Sequence, residues 1–176
     1  MQRHQIPLSD LVLRPFHTFD KRWFLLTAGT LDGGYNPMTI SWGAVGTVWN
    51  RPFALVLVRP TRHTFGFMER GQDFTLSMFP DALRKPIHGI CGVKSGRDMD
   101  KVAACGLSPI PSTEILAPAF DEAELVLECR QIYRADLDPK LFMDPAIHDL
   151  YDQDHHRFWF GEVVAAHGTR DWRAGG

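Results

Sequence analysis

Tyr35-Asn36-Pro37-Met38-Thr39-Ile40-Ser41-Trp42-Gly43 is the stretch on which the reading of the fold turns. Large apolar and small hydroxyl residues alternate along it. A period of two puts Met38, Ile40 and Trp42 on one face of a strand, and Thr39 and Ser41 on the other. Asn36-Pro37 holds the start of that strand in an extended or turn form. The run continues through Gly43, Val45 and Val48 to a turn at Asn50-Arg51-Pro52. By itself the segment reads as a half-buried strand with a polar outer face. The alternative is a ligand platform, because small hydroxyls let a flat molecule reach the backbone amides.

Working outward, the flanking segments also read as strands. Residues 23–30 are apolar and aromatic and close on the turn signal Asp32-Gly33-Gly34. Residues 53–58 form a continuous apolar run, expected to be covered on both faces. Residues 73–79, stopped by Pro80, and residues 125–134 and 157–166 complete a set of about six strands, a number common in small sheets and barrels. Helices are few. One is expected over 61–70, with Thr61 as N-cap and Gly71 as its stop. A turn or two fits 81–88, interrupted by Pro86. A third helix fits 97–105, with Ser95 or Gly96 at the cap and Gly106 beyond its end. Strands and helices do not alternate regularly, so a mainly β antiparallel barrel with inserted helices fits better than a doubly wound sheet.

Bulk composition excludes several classes. The 176 residues suit one domain, 1–176, with a sizeable core. Nineteen Lys and Arg against 21 Asp and Glu leave a net charge of −2, which is no electrostatic footprint for nucleic acid or an anionic membrane. Cys91, Cys105 and Cys129 form neither a disulfide framework nor a zinc pattern. Residues 1–7 lack the apolar run of a secretory signal, and 53–58 is too short to span a bilayer. The expectation is a cytoplasmic protein.

Local charge says more than the total. Arg59-Pro60-Thr61-Arg62-His63-Thr64 joins a strand end, cationic side chains and the start of a helix. It reads equally as a phosphate site or as a capped surface helix flanked by solvated arginines. Residues 91–101, Cys91-Gly92-Val93-Lys94-Ser95-Gly96-Arg97-Asp98-Met99-Asp100-Lys101, pair two glycines with Lys94, Arg97 and Lys101 around Ser95. The spacing is not that of a P-loop, and a nucleotide-type phosphate or pyrophosphate is the ligand it would suit. Cys91 reads as a small packing residue rather than a nucleophile, since no base partner accompanies it. Residues 149–156, rich in Asp and His, read as a solvated acidic loop, with a metal site the weaker alternative. His156 stands out only as the residue entering a strand that could border a pocket.

Together these segments resemble the flavin reductase-like family of FMN-binding split barrels, above all its flavoredoxin-type branch. Asn36–Gly43, Trp49-Asn50-Arg51-Pro52, residues 58–64, Phe74-Thr75-Leu76-Ser77, residues 91–101 and Gly161-Glu162-Val163 carry the likeness, over roughly 20–167 of the chain. The resemblance implies a six-stranded antiparallel Greek-key split barrel. It also implies a homodimer with one FMN per subunit near the interface. Along the isoalloxazine it places Asn36, Met38, Thr39, Ile40, Ser41 and Trp42. At the ribityl phosphate it places Arg59, Thr64, Ser95, Gly96, Arg97 and Lys101, with Thr61 and Cys91 beside them. His63 departs from a tyrosine common in the family.

The function this implies is an NAD(P)H-dependent flavin reductase, with NADH or NADPH passing hydride to the flavin N5. The alternative is an FMN-containing electron carrier serving a redox partner protein or a monooxygenase. The cofactor carries the chemistry, so no catalytic proton-transfer residue and no metal ligand is assigned.

Overall fold

The alternation at 38–40 is realised in a strand whose two faces are both covered. Met38 and Ile40 enter the main core, and Thr39 on the opposite face is also buried. The structure, a computed structural model, describes residues 2–175. Its strands are β1 (His4–Gln5), β2 (Phe24–Thr30), β3 (Gly34–Ile40), β4 (Gly43–Val48), β5 (Arg51–Val58), β6 (Asp73–Met78), β7 (Pro109–Ile110), β8 (Ala119–Phe120), β9 (Leu125–Asp136) and β10 (Arg157–Gly168). The α-helices are α1 (Pro15–His17), α2 (His63–Arg70), α3 (Asp81–Cys91) and α4 (Lys101–Ala104). No helix among the described residues is long and apolar enough to cross a membrane.

The large sheet is antiparallel, in the order β3-β2-β6-β9-β10-β5-β4, with β1 added on β10 and β7-β8 as a separate hairpin. Register shifts between Phe160 and Gly161 and between Val163 and Ala165 interrupt the β9–β10 ladder. Such irregularities bend long strands and let a sheet curl. Side-chain parity sorts the core into two layers. Leu26 and Leu127 join Phe74 and Trp159 in the main cluster, while their neighbours Leu25 and Val126 face a second cluster under α3 and α4, with Ile87, Cys91 and Val102.

Several expectations change. The strand count rises above six because the run 38–48 is cut at Ser41-Trp42. Its first part pairs with β2 and its second with β5, which lie in different parts of the sheet. The chain bends there at Gly43, where a Cβ would lie 2.5 Å from the Leu55 carbonyl and 2.6 Å from the Phe19 ring. The following turn is Trp49-Asn50, both at positive φ (50° and 58°), and Arg51-Pro52 already belong to β5. Two residues with that backbone make a type I′ hairpin, whose twist matches the strands. β5 is covered fully on one face only. Ala54, Val56 and Val58 are buried, whereas Phe53, Leu55 and Leu57 are half-buried because no helix lies over them.

The helices also shift. α2 starts at His63, with Arg62 at the N-cap and no side-chain cap. α3 runs on through Pro86 to Cys91, because Ile87 and Cys91 anchor its last turns in the second cluster. The helix expected over 97–105 shrinks to α4. Asp100 is the true cap, accepting from the Val102 and Ala103 amides at 3.0 Å each, and Ser95 Oγ draws the Arg97 amide (3.1 Å) into a local turn instead.

Candidate functional site

Where β3 ends and the chain bends into β4, a cleft of about 180 Å³ opens. Met38, Thr39, Ile40, Ser41 and Trp42 form one wall, and Leu57, Arg59, Arg62 and His156 the other. Arg59 is fixed rather than free. Its Nη1 donates to both Asp154 oxygens at 2.9 and 3.0 Å, its Nη2 donates to the Leu150 carbonyl at 2.9 Å, and its guanidinium lies over the Tyr151 ring. The bond from Arg59 holds the Asp154 carboxyl below the usual carboxylate range. The Tyr151 hydroxyl and His156 Nδ1 share a hydrogen bond at 3.0 Å, and the His156 ring lies 5.2 Å from that of Trp42. Burial, and then the nearby Arg59 charge, push the His156 imidazole down to about 4, so it is neutral at physiological pH.

A second cavity of about 180 Å³ adjoins the cleft, lined by Asn36, Thr61, Arg62, His63, Thr64, Val93, Lys94, Ser95, Arg97 and Lys101. Arg62 borders both spaces and donates to the Cys91 carbonyl at 3.2 Å. Lys101 is 3% exposed, and its ammonium donates to the Pro37 carbonyl. Among the described residues no carboxylate lies within ion-pair distance of it. An ammonium has three donors, and one acceptor leaves two of them open. Burial pushes this group down to about 8, and the Arg62 charge adds to that. Thr64 is fully buried and its Oγ1 accepts from Asn36 Nδ2 at 2.6 Å, so its own hydroxyl proton stays available. Gly96 lies so close to Asn36 that a Cβ there would fall 1.9 Å from Oδ1. Burial, followed by the charges of Arg97 and Lys101, lowers the His63 imidazole as well.

The sequence candidates therefore divide between two adjoining spaces. Met38, Thr39, Ile40, Ser41, Trp42 and Arg59 line the cleft, and Asn36, Thr61, Thr64, Ser95, Arg97 and Lys101 line the basic cavity. Arg59 and Lys101, expected at one phosphate, border different spaces. Cys91 is wholly buried with its Sγ 3.8 Å from Cys105 Sγ, and burial pushes its thiol up to about 12. It meets the site through its carbonyl alone and is a packing residue, inert as a nucleophile. The loop over 149–156 is not simply solvated, because Tyr151, Asp154 and His156 build the back of the cleft. Among the described residues no group of three or more His, Cys, Asp or Glu could hold a metal ion.

Arg62 and His63 lay inside the quoted segments without being counted as candidates, and Lys94 was counted only as one of the cations of residues 91–101. His156, singled out as entering a strand that could border a pocket, does line the cleft, whereas Leu57 arrives from a strand end and Asp154 lies 95 residues from its arginine. No local pattern signals such a pair.

The antiparallel sheet thus carries an open cleft beside a buried ammonium that has no carboxylate partner among the described residues. The chain belongs to the flavin reductase like domain family, whose match spans residues 16–174. No curated protein sequence matches it. Among solved structures it is similar to the flavoredoxin of Desulfovibrio vulgaris (Miyazaki F), with 21% identity, a TM-score of 0.66, and coverage of 85% of this chain and 70% of that one. It is also similar to an FMN-binding domain of a flavin reductases-like enzyme from Shewanella baltica OS155 (17%, TM-score 0.67, 95% and 77% covered). Nitrilotriacetate monooxygenase component B from Bacillus cereus is a third such structure (18%, TM-score 0.69, 88% and 73%). At these identities the likeness speaks for the split-barrel fold.

The residues present fit FMN. The buried Lys101 ammonium lacks a counter-charge, the Thr64 hydroxyl keeps a proton to donate, and the space over Gly96 admits no Cβ.

Proposed function

We propose that this chain is an FMN-binding flavin reductase that takes hydride from NADH or NADPH. The observation that carries the reading is Lys101, a buried cation without a carboxylate, one shared residue away from an open cleft. Burying an unpaired charge is costly, and a phosphate supplies the missing partner. Lys101, Thr64, Arg62 and Lys94 would hold that phosphate. The walls from Met38 to Trp42 would hold the ring. When bound, FMN supplies the redox chemistry, accepting hydride as NAD(P)H becomes NAD(P)+ and handing both electrons to an acceptor. The chain's own part is to bind, orient and tune. Arg59, clamped by Asp154, would set guanidinium N–H groups of fixed orientation at the cleft, its charge largely compensated by that carboxylate. His156 is neutral and offers one N–H without adding charge.

A second reading, an FMN-bearing electron carrier serving a redox protein or monooxygenase, is favoured by one feature. Trp42 stands 42% exposed at the cleft, an aromatic surface for a docking partner. We also take the protein to be a cytoplasmic homodimer. Trp49, Tyr133, Phe53, Phe158 and Phe160 form a connected aromatic face over β5, β9 and β10, with Trp49 60% exposed and Tyr133 49%. Exposed apolar faces of this kind mark association surfaces. Its three cysteines are free, as a reducing compartment would keep them.

The test is a visible spectrum of purified protein with FMN, followed by anaerobic titration with NADH and with NADPH. Bleaching of the bound flavin by either nucleotide supports the reductase. Bound flavin that neither nucleotide reduces leaves the carrier, and no flavin retention sinks both.

A further inference from the structure

Two thiols that the flavin reading leaves unused lie at the base of the cationic loop. Cys91 ends α3 and Cys105 caps α4, and their sulfurs stand 3.8 Å apart in the second core cluster. The chain between them, residues 92–104, carries Lys94, Ser95, Gly96, Arg97 and Lys101. A bond between the sulfurs would tie both ends of the segment that lines the basic cavity. It would also bear on Arg62, which donates to the Cys91 carbonyl at 3.2 Å.

The surroundings decide which chemistry suits the pair. Cys91 is wholly buried and has one sulfur within reach, that of Cys105. Cys105 is 9% exposed and offers the nearer sulfur to a small oxidant. Burial raises both thiols, which keeps them protonated and unlinked at neutral pH. The Lys101 and Arg62 charges oppose that rise at Cys91, and they favour a thiolate there once its neighbour is activated. Cys129 lies in the main cluster instead, its thiol directed at the Leu127 carbonyl.

We propose that Cys91 and Cys105 form a reversible disulfide on exposure to hydrogen peroxide, and that this bond tightens the hold of the basic cavity on flavin phosphate. The second clause rests on the flavin reading above, under which reduced flavin released into air supplies the peroxide. Peroxide transfers one oxygen to the Cys105 sulfur, giving a sulfenic acid and one water. The Cys91 sulfur attacks that sulfur and expels hydroxide, which takes the Cys91 proton and leaves as a second water. Two thiols lose two electrons, and one peroxide becomes two waters. The sulfurs must approach by about 1.7 Å, a distance that side-chain rotation can share between them. With its ends fixed, the loop has less left to order when a phosphate binds.

The experiment treats flavin-free protein with hydrogen peroxide and compares it with the same sample reduced by dithiothreitol. Mass spectrometry should show a loss of two hydrogens and a peptide joining Cys91 to Cys105. The thermal midpoint should rise by roughly 6–12 °C, as a closed loop of this length predicts. FMN affinity should rise roughly threefold or more. Cys105→Ala should lose all three responses and Cys129→Ala should keep them, with circular dichroism checking that each variant folds. Sulfinic acid without a linkage, a bond between two chains, or unreacted thiols overturns the proposal. So does a Cys91–Cys105 bond that leaves FMN affinity unchanged or weaker. If neither form binds FMN while the bond and the thermal rise appear, the flavin reading falls with the affinity clause, and the disulfide stands.

Discussion

Replacing Lys101 by methionine keeps the bulk of a buried side chain and deletes its charge. If the ammonium meets a phosphate, the loss is that of a charge-assisted hydrogen bond in a dry site, about 1.5–3 kcal/mol, or roughly 10- to 150-fold in affinity. The direction with pH follows from the lowered value of about 8. A phosphate above pH 7 is essentially dianionic and binds the ammonium form. At pH 9 about one Lys101 in ten is still protonated in the ligand-free protein, so FMN affinity should be roughly tenfold weaker than at pH 7. Riboflavin, which lacks the phosphate, should bind with little dependence on pH or on Lys101. The same shift has a consequence for stability. Folding disfavours the ammonium, so ligand-free protein is penalised by about 3 kcal/mol below pH 8 and recovers as the pH rises from about 8 toward 10.5. Saturating FMN should flatten that rise. Flavin fluorescence titrations of both proteins at pH 7 and 9, with FMN and riboflavin, read the affinities, and thermal melts between pH 8 and 10.5, with and without FMN, read the stability rise. An FMN affinity unchanged in Lys101→Met, or an equal loss for riboflavin, refutes the phosphate assignment.

Gly96→Ala places a Cβ 1.9 Å from Asn36 Oδ1 and 3.1 Å from His63; overpacking should lower folding stability by about 1–3 kcal/mol in a denaturant titration, and an unchanged midpoint would count against this close approach. His156 is charged less readily in the folded state, so wild-type stability should be lost as the pH falls from 6.5 toward about 4, by at most about 3 kcal/mol. Thermal melts of His156→Phe should decline less over that interval, and parallel declines would count against a neutral buried imidazole. Trp49→Glu should halve the mass seen by light scattering while leaving circular dichroism unchanged; a mass equal to wild type would remove the aromatic face as the dimer contact.

Much of the fold was legible because strands leave a local record. The alternation at 38–40 and the apolar runs at 53–58 and 125–129 appear as β3, β5 and β9. What stayed hidden was partner choice. Residues 38–48 look like one run because period two continues across Ser41-Trp42, yet β3 belongs to β2 and β4 to β5. Helix limits shifted for a similar reason. Pro86 weakens a helix locally, but burial of Ile87 and Cys91 carries α3 past it. At the site, the clustering of Lys94, Arg97 and Lys101 was visible, whereas the burial that distinguishes Lys101 from a solvated lysine is a property of the packed chain. Arg59 looked like a phosphate ligand because it stands at a strand end beside other cations and a helix start, where the resemblance also placed the phosphate. Its partner Asp154 comes from the other side of the cleft.

The separation of Arg59 from Lys101 also explains how one small protein could bind a cofactor firmly and still leave it reactive. In the proposed reading anchoring falls to Lys101, whose ammonium keeps donors beyond the one given to the Pro37 carbonyl, and to Thr64, whose hydroxyl keeps a proton to donate. Arg59 is already matched by Asp154 and Leu150, so it offers N–H groups of fixed orientation without a strong unmet demand. The cleft is correspondingly open, with Trp42 exposed at its edge. Binding energy drawn from a non-reacting phosphate can hold the ring in place. The ring's outer face then stays free for whatever donates or accepts the electrons, and the residues that anchor need not be those that tune.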